Sequence, residues 1–520
     1  MSLMQRITAN EQAEVDAPQT GALKFYRVLF VLFLFSFVFD YRALDIGFGA
    51  ERTGGSAFQY IFLGIALLSG CAASVVGVRH LFIRPGVFIV MLWWGYVIFS
   101  FVVAFYWGND PSRIMRLAIP RLLVGLGLNL TLIAAANGMR PGEAVKWFLF
   151  ACLTNVGWRF LYGVTASDAP LSEIRMEILS PAMRFLFAWA GCAFLLRHKF
   201  TWWSLVIFGV PLAVAAISVT RSMILPIGVS FIVASFCLLL AMLWKMYDRS
   251  FPLKKLGPIL VMGAVFVFVV MGTMMAVPNL ADRWYQRVFD NRGESGALSE
   301  DLSTLMRKAE AKSMWDILEK DPHSFIFGRG IGASYYWDES YYPELFLVYP
   351  DDRHQFPHEI YTAGHSIWTY TLFSSGFIGV GVVLLAFFIP MWMSLRSAFL
   401  TSRTVMGPRA WDSFLVFLPF VAMWAILSES ITRNPFDERF TGVLFGFMMA
   451  LPQFFYNRAW YLGYREDQGQ NATQLILNED DIEGIEEELF EDLPSQGGTG
   501  GHHLVGSKFE YQSQSEKEVS

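Results

Sequence analysis

Arg116, Arg121, Arg159, Arg184 and Arg221 stand inside or at the edges of long apolar runs, in segments almost bare of Asp and Glu. A guanidinium in a membrane helix costs about 2.5–3.5 kcal/mol at the bilayer centre and less near the interface, so such a residue faces a cavity or a partner. Acidic residues in those same runs are too scarce to neutralise all five, which implies an anionic ligand. Arginine suits phosphate, because its planar fork donates paired, charge-assisted hydrogen bonds. Taken singly, each arginine could equally snorkel to the interface; taken together, the five favour the ligand. His365 stands just before Ser366-Ile367-Trp368, where a polar stretch gives way to an apolar one. A neutral imidazole there could act as a general base, and the simpler alternative is an interfacial histidine bonded to backbone.

Positioning these side chains requires a membrane. Of 520 residues, 54% are hydrophobic and only 16% charged, against about 25% charged in ordinary globular domains. The apolar runs lie at 23–39, 57–76, 86–107, 114–136, 145–165, 181–196, 201–219, 222–244, 256–277, 366–390, 411–430 and 440–456. Several exceed the roughly 18 residues that span a bilayer. The expected fold is an all-α polytopic membrane protein of about twelve transmembrane helices, which excludes the soluble enzyme classes. The first run ends in Asp40-Tyr41-Arg42 without a small-residue cleavage signature, so it is expected to be a retained anchor.

Basic residues in short connections, such as Arg79, Arg84, Arg140, Lys146, Lys254, Lys255 and Arg396, favour an orientation with both termini cytoplasmic. The expected organisation is a cytoplasmic 1–22, helices across 23–277, one large external segment at 278–365, further helices across 366–456 and a tail at 457–520. The five arginines then fall towards the outer leaflet. The formal net charge of −5 conceals a split: the last 55 residues hold 14 Asp and Glu against two Lys, so the tail is acidic and the body basic. The tail's Gly, Ser and Gln content predicts disorder around at most a short helix near Ile482–Leu493. Cys71, Cys152, Cys192 and Cys237 all lie in apolar runs and are expected to pack rather than to form bridges.

The large segment is too long for a simple connection. Ser299, Glu300 and Asp301 predict a helix start, with Leu302, Leu305, Ala309, Trp315 and Leu318 on one apolar face and a stop at Asp321-Pro322. The run FGRGIG (327–332) permits tight turns, but no preceding strand supports a phosphate-binding loop. The stretch Tyr335–Tyr361 is dense in Tyr and Trp, which could stack on sugar faces or form an aromatic lid at the interface. His80, His198, His502 and His503 read as solvated, whereas His323, His354, His358 and His365 belong to the external segment. His354, His358 and His365 have no cysteine partner or persuasive ligand set, so neither a metal nor another cofactor is expected.

The stretch GHSIWTYTLFSSGFIG (364–379) resembles the signature of the O-antigen ligase and O-antigen polymerase superfamily: a His followed by a small polar residue, here His365-Ser366, then a Gly-x-x-Gly pair, here Gly376 and Gly379. Upstream, Arg307, Trp315, Pro322 and the glycine run resemble the family's preceding stretch. The tract ISVTRS (217–222) resembles its Ser-Arg motif, with Thr220 in place of the usual Ser. The resemblance covers roughly residues 200–390 by motif and the chain by topology; the acidic tail has no counterpart.

The resemblance implies a metal-independent, inverting glycosyltransferase of the bacterial inner membrane, of the membrane-embedded type with a large, partly helical periplasmic loop. Its donor would be a glycan on undecaprenyl diphosphate, and its acceptor a lipid A-core or a growing polysaccharide. Arg221 would be the main diphosphate contact, with Arg116, Arg121, Arg159, Arg184 and Arg307 assisting, and His365 would take the acceptor proton. Such fixed cations stabilise a leaving diphosphate as its charge develops. The other partners implied are membrane lipids and possible cell-envelope assembly proteins, with no nucleic acid. A single large loop leans towards a ligase, and a polymerase remains open. So does a flippase for an anionic lipid-linked glycan, although no internal repeat supports one, and so does a docking module built on the loop.

Overall fold

Inside a bilayer the backbone must satisfy its own N–H and C=O groups, and a helix does so within one segment. The structure, a computed structural model, describes residues 20–39, 57–82, 86–166, 178–197, 201–247, 250–289, 302–348, 360–403, 413–430, 434 and 439–467. Ser299, His354, His358 and the tail helix expected near Ile482–Leu493 lie outside these residues. Among the described residues there is no strand, only an isolated antiparallel bridge between Tyr335 and Tyr361.

The helices are α1 (Thr20–Phe35), α2 (Ala57–Val76), the single turn α3 (Val78–Leu81), α4 (Gly86–Tyr106), α5 (Pro111–Ala136), α6 (Pro141–Ala166), α7 (Met183–Leu196), α8 (Trp203–Ile217), α9 (Arg221–Leu243), α10 (Phe251–Ala276), α11 (Leu280–Phe289), α12 (Leu302–Glu319), α13 (His323–Phe327), α14 (Tyr342–Val348), α15 (Ile367–Arg403), α16 (Ser413–Ser430) and α17 (Arg439–Asp467). Six of them, α2, α4, α5, α9, α10 and α15, are long and apolar enough to cross a membrane by length and composition. The chain is thus an all-α protein with the makings of a membrane bundle.

Two helices mark the extremes of that bundle. In α5 the most apolar window is 89% buried, whereas in α10 none of it is. Phe268 and Met275 of α10 are almost fully exposed, an apolar surface that suits hydrocarbon rather than water. The centre forms because α17 presents Gly442-x-x-x-Gly446 to α5. A Cβ at Gly442 would lie 2.5 Å from the Pro120 carbonyl oxygen, and one at Gly446 would lie 2.3 Å from that of Val124. Small residues spaced in this way let two backbones touch.

Residues 302–348 and the start of α15 build a second core. Ala309, Met314 and Leu318 of α12 pack with Tyr335, Trp337, Tyr342 and Leu345, and with Tyr370 and Phe373 of α15. The expected helix is present, but its expected face needs one correction. Trp315 is 46% exposed, because its ring turns edge-on to Phe325 of α13 (centroids 5.1 Å apart) and its N–H donates to Glu319. Part of the aromatic stretch is packing, although Tyr336 is 48% exposed. Tyr335 and Trp337 are at most 2% exposed, and Trp337 stacks on Tyr361 at 4.9 Å with ring planes 2° apart. These rings are internal packing, so their faces are not open to a sugar.

The glycine run is a packing device as well. Gly328, Gly330 and Gly332 all have positive φ. Cβ atoms at the first two would lie 2.3 Å from Ser375 N and from Ala104 Cα. The N–H groups of Arg329 and Gly330 donate to the Phe373 and Ser374 carbonyls, at 2.8 Å each. Asn109, just before α5, donates to the Arg329 and Ile331 carbonyls. Those donors are committed to protein, so the Arg329 and Gly330 amides are not open to a phosphate. The run wedges between α4, α5 and a kink in α15, where Gly376 takes φ 62° and ψ −164°.

Candidate functional site

His365 closes the segment that precedes α15, and the structure gives it a partner that sequence reading missed. Its Nδ1 lies 2.6 Å from Glu310 Oε2, and its backbone N–H donates to Glu310 Oε1 at 2.7 Å. The Glu310 side chain is 2% exposed and that of His365 34%, so the carboxylate sits behind the ring and the imidazole reaches out. Gly364 makes the approach possible: a Cβ there would meet Tyr370 Cβ at 2.8 Å and Glu310 Oε1 at 2.9 Å. The legible trace of Glu310 was a lone acid one turn before Met314, on the buried side of α12.

Arg221 arrives from a different direction. Residues 218–220 separate α8 from α9, with Val219 at φ 47°. A β-branched residue there is strained, and such strain gathers at functional turns. Val219 is held by Val277 and Leu280, and the Trp284 N–H donates to the Ala216 carbonyl at 2.9 Å. The break makes Arg221 the first residue of α9, so its guanidinium adds to the positive end of a helix dipole. Its Nη2 lies 3.5 Å from Ser303 Oγ of α12, at the outer limit of a hydrogen bond.

Ser303, Arg307 and Glu310 are spaced four and three residues apart, so they share one face of α12. Ser303 and Glu310 are seven residues apart, just short of two turns, or about 10 Å along the axis. One helix face therefore faces Arg221 at one end and His365 at the other, with the half-buried Arg307 between.

Arg121 approaches the same neighbourhood from α5. It is 2% exposed, donates Nη1 to the Leu117 carbonyl at 2.7 Å and lies 5.7 Å from the centre of the Tyr370 ring, one turn and a little more past His365. Arg116 is half-buried. Five residues of helix separate it from Arg121, so the two leave α5 about 140° apart, and α5 does not bring them onto one face.

The remaining two arginines join the frame. Arg159 of α6 is buried and donates to the Leu179 carbonyl at 2.6 Å. Beside it Asn155 donates to the Phe37 and Val38 carbonyls and accepts from Ser180. Arg184 makes a two-pronged pair with Glu429 of α16, through Nε to Oε2 and through Nη2 to Oε1 at 2.8 Å, and Nη1 reaches Thr441 Oγ1 of α17 at 3.2 Å. Both members of that pair are 2% exposed. Internal pairing, expected to fall short of all five arginines, does absorb Arg184, whose acid comes from a helix 245 residues away in sequence.

Sequence reading also passed over Arg439, a buried cation at the start of α17 that lies 5.9 Å from the centre of the Tyr60 ring. Among the described residues, no three or more His, Cys, Asp or Glu gather closely enough to hold a metal ion. The arrangement offers a carboxylate-backed imidazole and a set of guanidinium groups around α12, which suits proton transfer beside an anionic group. No protein-family model matches the chain, and no curated protein matches it.

Proposed function

We propose that this protein is a membrane-embedded glycosyltransferase that moves a glycan from an undecaprenyl-diphosphate carrier to an acceptor hydroxyl, in the manner of the O-antigen ligases its motifs resemble. The observation that carries this reading is the shared face of α12, which faces the Arg221 guanidinium at one end and holds the His365 imidazole at the other. In this reading the bundle crosses the bacterial inner membrane twelve times with both termini cytoplasmic, and residues 278–365 face the periplasm.

The chemistry follows from that spacing. His365 accepts the acceptor hydroxyl's proton as its oxygen attacks the anomeric carbon. The bond from that carbon to the carrier's diphosphate oxygen breaks on the opposite side, with inversion. Negative charge grows on the diphosphate, where Arg221 and the positive end of α9 stabilise it, with Arg307 and Arg121 nearby. Preorganised cations of this kind act where charge develops and need no rearrangement as the bond breaks. Arg159 and Arg184 maintain the helices around the site rather than touch the donor.

Transfer by purified protein, from a lipid-diphosphate glycan to a candidate acceptor in the presence of a chelator, tests the reading. Product with the wild type, and loss of it in both His365→Ala and Arg221→Ala, is the expected result. Full activity in either variant removes that residue's role. In cells lacking the protein, polymer that stays on its lipid carrier marks a ligase, and accumulation of single repeat units marks a polymerase.

A further inference from the structure

We infer that Glu310 is a positioning residue that selects the tautomer of His365, keeping the ring proton on Nδ1 and leaving Nε2 bare to receive a proton. The inference rests on the transferase reading for its kinetic consequence, and on the geometry alone for the tautomer.

Both carboxylate oxygens of Glu310 are directed to one residue. The backbone N–H of His365 can only donate, so Oε1 accepts at 2.7 Å. Oε2 faces Nδ1 at 2.6 Å. With Glu310 as a carboxylate both oxygens accept, so a neutral His365 ring places its hydrogen on Nδ1 and leaves the lone pair on Nε2. The two bonds differ in purpose. The backbone bond fixes where the carboxylate lies relative to the chain, and the ring bond fixes the imidazole against it.

Such a pair strengthens as the reaction proceeds. Before proton transfer it joins a carboxylate to a neutral ring; afterwards it joins a carboxylate to an imidazolium, inside a site where Glu310 is 2% exposed. An interaction that is stronger in the transition state than in the ground state is the kind that accelerates a reaction. A buried carboxylate with no such partner is costly, so its placement behind the histidine has a chemical reason beyond packing.

Glu310→Gln separates shape from tautomer. The amide is nearly isosteric but has a single acceptor oxygen. If that oxygen keeps the His365 backbone N–H, the amide nitrogen faces Nδ1 and must donate to it, which moves the ring proton to Nε2 and removes the base. The expected result is a fall in kcat of about 10²- to 10⁴-fold, the range for losing a general base, with KM for the lipid-diphosphate donor unchanged. Glu310→Asp restores part of that loss, because it keeps two acceptor oxygens. Solid-state ¹⁵N spectra of histidine-labelled protein, with the His365 signal identified by subtraction of the His365→Ala spectrum, read the tautomer directly. Wild type is expected to show Nδ1–H and Glu310→Gln to show Nε2–H.

Wild-type kcat in Glu310→Gln, or an Nε2–H signal in the wild type, overturns the proposal. Should Glu310→Gln fail to fold, the wild-type spectrum and the kcat of Glu310→Asp still decide it. A His365→Ala variant with full activity would sink the transferase role of His365 instead, and the spectra would still report whether Glu310 sets the tautomer.

Discussion

Arg184 and Arg121 are equally hidden from water, each 2% exposed, yet their surroundings differ. Arg184 meets a carboxylate with its full fork and ties α7 to α16 and α17. Arg121 bonds a carbonyl within its own helix and lies over Tyr370, a ring on the helix that His365 introduces. Burial is common to both, so burial alone does not mark a binding residue. The partners differ: the guanidinium matched by Glu429 ties helices together, whereas the other lies beside the ring of Tyr370, on the helix that follows His365.

That division predicts two kinds of failure. The largest effect on transfer is expected from His365→Ala, which should lower the rate by about 10²- to 10⁴-fold; it leaves the buried Glu310 with the backbone N–H alone, so a smaller loss of thermal stability accompanies it. Arg184→Ala should do the reverse. Removing one member of a buried pair strands the other charge and costs about 3–5 kcal/mol, whereas replacing both with apolar residues of similar volume is often close to neutral. Thermal melts of Arg184→Ala and of the Arg184→Met/Glu429→Leu double variant check this, and a double variant no more stable than the single one would erase the contrast.

Arg221→Ala comes next, with an expected 10²- to 10³-fold loss of kcat, about the loss seen when one donor to a developing anion is removed. Arg221→Lys should recover only part of it, because an ammonium lacks the planar fork. Gly330→Ala should cost at least about 1–2 kcal/mol of stability from its left-handed backbone alone, before any contact with Ala104 is counted.

The smallest effect concerns pH, at the surface of α12. Burial alone would raise the Asp338 carboxyl, but hydrogen bonds from Lys312 and Ser340 more than reverse this and hold it below its ordinary value. The Lys312 bond to Asp338 is 2.6 Å long. A lowered carboxyl contributes stability that is complete above the ordinary Asp range and fades as pH falls through the lowered value. Asp338→Asn should flatten that acidic dependence slightly without altering transfer, and acid titration of the melting temperature measures it.

Much of the frame could be read from residue order. A described helix overlies each expected apolar run, and α12 stops at Glu319, two residues before the Asp321-Pro322 break. What escaped were relationships between distant residues. Glu429 answers Arg184 across 245 positions and Glu310 answers His365 across 55; periodicity, a local property, registers neither. Trp315 misled because its spacing fits the apolar face while its ring finds Phe325 outside it. The glycine run was recognisable as a turn, but its partner is a kink within α15, and nothing in FGRGIG points to Gly376.

That joint between residues 328–330 and α15 also imposes an order on assembly. The segment that carries Glu310 emerges from the ribosome before α15 does, yet its core includes Tyr370 and Phe373, and the Arg329 and Gly330 amides bond to carbonyls of Phe373 and Ser374. Domains in general take shape from the N-terminal end during synthesis. Here an earlier segment packs on a later helix, so the core that includes Tyr370 and Phe373 is complete only once α15 has been made.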